Sequence, residues 1–131
     1  MSEQNVEVVR SYVEAWNAGD MDGVRELYDP DVVMVVAPDW PEPGPFVGRD
    51  AVMQQLSQAR GAFESDSIEF VTDPVAVGDR VVVRVGWHGV GRGPQSGMEW
   101  TNVFTIRDGR ILSAEYIWDH AEALEAAGIS E

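Results

Sequence analysis

Apolar residues recur at helical spacing between Asn5 and Ala18, where Val6, Val9, Val13 and Trp16 share a stripe and Tyr12 lies on its flank. Gly19 marks a C-terminal stop, and Asp20 suits the N-cap of a second short helix carrying Val24, Leu27 and Tyr28 inward. The residue before a proline is pushed out of helical geometry, so Asp29-Pro30 predicts the end of that helix. Val32 to Ala37 is β-branched and almost continuously apolar, which predicts a strand. Pro38 to Gly48 holds four prolines and two glycines with Trp40 and Phe46, and reads as an irregular loop. Its two aromatics fit either a flap or packing on the domain's own rim. A third helix is predicted over Asp50–Phe63, with Val52, Leu56, Ala59 and Phe63 on one side.

The rest of the chain reads as sheet. Ile68–Val77 is a predicted strand ending at the turn residues Gly78-Asp79, followed by Val81–Val90, a hairpin over Gly91–Gly97, and Met98–Arg107. Asp108-Gly109 is a two-residue hairpin signal before the last strand, Ile111–Trp118. Asp119 and Glu122 have capping-box-like spacing for a short final helix ending near Gly128, which makes a helix cap the ordinary reading of Asp119 and leaves His120 exposed. Helices grouped ahead of an antiparallel sheet predict an α+β fold.

Within this pattern one polar residue stands out. Trp100, Asn102, Phe104 and Ile106 alternate on one strand and share a face, which puts an amide among hydrophobes. An unpaired buried amide costs about 1–3 kcal/mol, so a core partner, an ordered water or a ligand must satisfy it. On the preceding strand Val81, Val83, Val85 and Trp87 look inward, which turns Arg84 and His88 outward unless a bulge near Gly89 reverses the phase.

Composition removes several chemistries. The 131 residues make one domain, 1–131, with room for a proper core. Net charge is −14, so neither a phosphate backbone nor an anionic membrane surface is an expected partner. Without cysteine there is no disulfide or thiolate, and without lysine there is no Schiff base. His88 and His120 are too few and too far apart for a metal motif, and no phosphate-binding glycine loop occurs. No metal or cofactor is therefore expected. The first residues lack a basic start and an apolar stretch, and no run approaches the ~18 apolar residues of a membrane span, so a cytoplasmic protein is expected.

The element order and several strings resemble the nuclear transport factor 2-like superfamily, in its SnoaL-like and ketosteroid isomerase-like branch. The strings are Tyr12-Val-Glu-Ala-Trp-Asn-Ala-Gly-Asp20-Met-Asp-Gly23, Gly48-Arg-Asp-Ala-Val52, Asn102-Val-Phe104, Asp108-Gly-Arg-Ile111 and Ala123-Leu-Glu-Ala-Ala-Gly128. The resemblance implies a cone: a curved antiparallel sheet wrapped round three N-terminal helices, with a short C-terminal helix and an apolar cavity open at one end. It implies that Tyr12 and Asn102 correspond to the two hydrogen-bond donors of an oxyanion site. The family's general base, an acid at the end of the first strand, is replaced by Val36 and Ala37, and the nearest carboxylate is Asp39, beyond Pro38. The acid of the cyclase pattern is Asn102 here, and the Arg–Asp pair of the epoxide hydrolase pattern reads Trp100 and Asn102.

Candidate catalytic residues are accordingly Tyr12, Asn102 and Asp39, against core roles for the first two and a plain loop carboxylate for the third. Candidate walls of the cavity are Trp16, Met34 and Val36, with Trp40 and Phe46 from the loop. The sheet adds Trp87, His88, Trp100, Phe104, Tyr116 and Trp118. The resulting expectation is a site for a small hydrophobic molecule, either cofactor-free acid–base chemistry beside a carbonyl (isomerisation, cyclisation or dehydration) or binding without turnover. The rival expectation is a dimerisation module with a filled cavity. Either way, Thr101, Val103, Thr105, Ile111 and Ile117 form an outward face suited to a homodimer.

Overall fold

The computed structural model describes residues 2–40, 44–61, 63–91 and 96–128; positions 41–43 of the proline-rich loop and 92–95 of the expected hairpin lie outside the described residues. Helix α1 spans Ser2–Ala18 and buries Val9, Tyr12 and Trp16. Steps of three and four residues keep these side chains on one face, so Tyr12 stands in the middle of the stripe and not on its flank. Gly19 ends the helix with φ 74°, a left-handed conformation that glycine adopts without strain. Asp20 then accepts a 2.9 Å hydrogen bond from the Gly23 amide and caps α2, Met21–Leu27.

Strand β1 covers Tyr28–Val35 and therefore starts ahead of the predicted boundary, running through Pro30. Its pairing shifts register between Tyr28 and Val33, so the missing proline N–H falls where no ladder bond is needed. The following loop contains a two-residue strand, β2 (Phe46–Val47), antiparallel to β1. Helix α3 spans Arg49–Gly61 and buries Val52, Gln55 and Leu56. The stretch predicted as one strand from Ile68 is two, β3 (Ser65–Phe70) and β4 (Val75–Val77), both pairing with β5, Arg80–Val90. Between them the amides of Val71 and Thr72 both turn to the Arg84 carbonyl, and Pro74 cannot donate.

Strands β6 (Ser96–Arg107) and β7 (Arg110–Ile117) complete a seven-stranded sheet of order β2-β1-β7-β6-β5-β3, with β4 beside β5. All pairings are antiparallel except β1 with β7. The inner face holds the main core with α1 and α3: Val81, Val83 and Val85 from β5 lie with Trp100, Phe104 and Ile106 from β6. The outer face carries α4, His120–Ala126, whose first turn is capped by Asp119 accepting from the Glu122 amide at 3.0 Å.

Helix α4 lies on part of the expected dimer face. Ala123 and Ala127 pack on Val82 and Val103, so Thr101 is 0% and Val103 2% exposed. Ile111 belongs to the main core. Thr101, Val103 and Ile111 of that expected face are thus covered within one chain, while Thr105 and Ile117 stay half-buried. No helix among the described residues is long and apolar enough to cross a membrane.

Candidate functional site

Between α1, α3 and the inner face of the sheet lies a cavity of about 460 Å³. Its floor is built by alternation. Trp100, Asn102 and Phe104 point inward from β6, Val85 and Trp87 from β5, and Tyr116 from β7. Helix α1 contributes Val9, Tyr12 and Trp16, and α3 contributes Gln55, Leu56, Gln58 and Ala59. Met34 of β1 and Trp40 complete the wall. Gln58 and Ala59 are exposed, so the cavity reaches solvent along the second half of α3.

Aromatic rings set its shape. Trp100 stacks on Tyr116 at 5.7 Å, and Trp40 meets both rings edge-on at 5.3 and 5.1 Å. Tyr12 stacks on Trp16 at 6.3 Å and lies 6.1 Å from Phe104. Edge-to-face and offset-stacked pairs are the favoured geometries of such rings, so these side chains hold one another in place.

Asn102 is buried as expected, and protein groups satisfy it. Its carbonyl oxygen accepts from the Trp100 indole at 2.8 Å and its amide donates to the Glu115 carbonyl at 3.2 Å. An indole can only donate and a backbone carbonyl can only accept, which fixes the orientation of the amide. The Tyr116 hydroxyl takes a further interaction from Asn102. Asn102 therefore faces the cavity with its hydrogen-bonding capacity spent on the sheet.

Tyr12 is placed differently. The Tyr28 hydroxyl donates to the Tyr12 oxygen at 3.1 Å, and the Tyr116 hydroxyl interacts with it as well. Burial pushes all three phenols above their ordinary value near 10; the bonds from Tyr28 and Tyr116 partly offset this for Tyr12, while Tyr28 and Tyr116 rise further beside it. The three hydroxyls are therefore protonated at neutral pH.

Several expected site residues lie off the wall. Asp39 is exposed in a turn at φ 62°, and the loop does not bring it inward. His88 keeps the outward phase of its strand, exposed and 2.9 Å from Glu69. Trp118 is 37% exposed, stacks on Trp40 at 5.1 Å and donates to the Pro38 carbonyl, so it supports the wall from behind. Val36 and Phe46 pack against the core without lining the cavity.

Two features escaped the sequence reading. Asp66 of β3 has a fully buried carboxylate that accepts from the Trp16 and Trp87 indoles at 3.0 and 2.9 Å and pairs with Arg60 at 2.9 Å. The Arg60 guanidinium also lies 4.5 Å over the Trp16 ring. Gly89 makes this reach possible: it faces Asp66 across the β3–β5 ladder, and the Trp87 ring occupies the space a side chain would fill. Alternation with the buried Ile68 was the signal for Asp66. The second is Gln55, 7% exposed on the cavity wall and one step from the apolar stripe Val52, Leu56, Ala59. Among the described residues no group of three or more His, Asp or Glu side chains is placed to hold a metal ion.

Comparison with known proteins agrees with this architecture. The protein Bal32a from a soil-derived mobile gene cassette superposes with a TM-score of 0.80 at 24% identity, over 92% of this chain and 93% of that one. A candidate polyketide cyclase from Sinorhizobium meliloti is 30% identical, with a TM-score of 0.70 over 84% of this chain and 93% of its own. A protein of ketosteroid isomerase-like fold from Catenulispora acidiphila, in complex with trimethylamine, gives 0.73 at 16% identity over 95% and 94%. No functionally curated protein matches the chain. The family model of the SnoaL-like domain matches residues 9–114, most of the chain, from within α1 to within β7. The chain belongs to the SnoaL-like domain family.

Proposed function

We propose that this protein binds a small, uncharged, largely apolar molecule in the cavity, with the Tyr12 hydroxyl donating a hydrogen bond to an oxygen of that ligand. The composition of the wall carries this reading. Among the described lining residues there are aromatic, aliphatic and amide side chains, and neither a carboxylate nor an imidazole. Tyr12 accepts from Tyr28, which leaves its own proton for a guest. A volume of about 460 Å³ lies within the ~300–1,000 Å³ typical of ligand sites, and supports a guest over a core filled by its own side chains.

The same composition favours binding over proton abstraction. Isomerisation, cyclisation or dehydration beside a carbonyl needs a base within reach of the substrate, and Asp39 stands outside. The 30% identical candidate polyketide cyclase makes aromatic polyketide-type molecules the first ligands to try.

Calorimetric titration with 2-naphthol and with equilenin tests the reading. Saturable binding is expected, weakened about tenfold in Tyr12→Phe, which corresponds to ~1.4 kcal/mol. Absence of saturable binding to the wild type, or unchanged affinity in Tyr12→Phe, overturns it.

A further inference from the structure

Of the three amides on the cavity wall, Gln58 is exposed at the opening and the other two are in contrasting states. Asn102 has Trp100, the Glu115 carbonyl and Tyr116 as partners. Gln55 is nearly as buried, at 7% exposure, yet among the described residues no group bonds its side chain. Its amide atoms are not sealed in the core either. Arg49 Nε is the one wholly enclosed side-chain polar atom without a partner among the described residues, so the Gln55 amide keeps some accessible surface, and Gln55 lines the cavity. A side chain with three rotatable torsions is costly to hold still without a partner.

We infer that Gln55 is a ligand-contacting residue that recognises a second polar group on the guest. This rests on the binding reading above and extends it to the ligand's chemistry. Tyr12 on α1 and Gln55 on α3 are separate hydrogen-bonding points on one largely apolar wall. The amide offers both a donor and an acceptor, so it suits a hydroxyl or a carbonyl. No cationic or anionic side chain lines the described wall, and an ionised guest would be buried there without a counter-charge. The ligand class is therefore a neutral, planar or polycyclic molecule bearing at least two oxygens. Helix α3 also carries Gln58 and Ala59 at the opening, so Gln55 stands on the element a guest passes as it enters.

The test compares 2-naphthol with 1,5-, 2,6- and 2,7-dihydroxynaphthalene by calorimetry, in the wild type and in Gln55→Leu. Leucine keeps most of the volume and removes the amide. At least one dihydroxy isomer is expected to bind the wild type about tenfold tighter than 2-naphthol, and in Gln55→Leu the two ligands are expected to bind within about twofold of each other. The melting temperature of the ligand-free variant provides the second readout. It is expected to rise by ~3 °C or more, because an amide held for a guest has no partner to lose. An advantage that survives in Gln55→Leu, no advantage for any isomer, or a fall in melting temperature overturns the assignment of Gln55 and leaves the binding reading intact. No binding of 2-naphthol or any dihydroxy isomer to the wild type overturns both.

Discussion

At the scale of single residues, the contrast between satisfied and unsatisfied polar groups decides what each can do. The sequence leaves Asn102 to a core partner, a water or a ligand, and its neighbours make it a structural tie between β6 and β7. Replacing it with leucine strands the Trp100 indole and the Glu115 carbonyl, each costing about 1–3 kcal/mol when buried without a partner. Asn102→Leu is therefore expected to lose at least ~2 kcal/mol in urea denaturation, whereas equal or greater stability would show that the amide is held for a ligand. The tyrosines make a second prediction. The chain has three, and all sit in the buried cluster of Tyr12, Tyr28 and Tyr116. Burial holds each phenol protonated in the fold, so their contribution to stability is complete below the unfolded value near 10 and is lost as pH climbs through the raised native values. Absorbance at 295 nm should show no tyrosine ionising in the native protein near pH 10, and one cooperative rise as alkali unfolds it. A separate early step would mean that at least one hydroxyl meets solvent.

At the scale of elements, helix ends and strand partners follow from local chemistry, while the use made of each face does not. Asp20 and Asp119 sit at the caps their spacing announced. Asp119→Ala removes the side-chain acceptor of α4 and is expected to cost about 1 kcal/mol by denaturant titration, the usual value of such a cap. Because α4 covers Thr101 and Val103, the variant should also bind more of a dye that reports exposed apolar surface; unchanged dye binding would mean that the helix stays docked without its cap. The boundary differences have physical causes. The second helix does end before Pro30, but the strand expected from Val32 starts at Tyr28, because a register shift lets it pass through the proline, and Val71 to Pro74 interrupts an apolar run that looks continuous in the sequence.

At the scale of the whole molecule, charge and architecture separate cleanly. A net charge of −14 on 131 residues is self-repulsive and carries no information about which residues meet. Raising sodium chloride from ~10 to ~150 mM shortens the screening length from about 30 to 8 Å and is expected to raise the melting temperature by a few degrees. A fall would show that surface ion pairs such as Arg25 with Asp50 outweigh the repulsion. The α+β class, the element order, both caps and the inward set of β5 and β6 were legible in the sequence, because periodicity and capping are local properties. Of the residues the resemblance puts around a cavity, Tyr12, Trp16, Met34, Trp40, Trp87, Trp100, Phe104 and Tyr116 line the one described, while the α3 side of the wall has no such signal in the sequence. The sequence could not say that Asp39 and His88 stay outside, that Asn102 is already bonded, that Asp66 ties two indoles together, or that α4 covers Val82 and Val103. Each of these depends on which side chains from distant segments reach the same point, and only the tertiary structure brings those segments together.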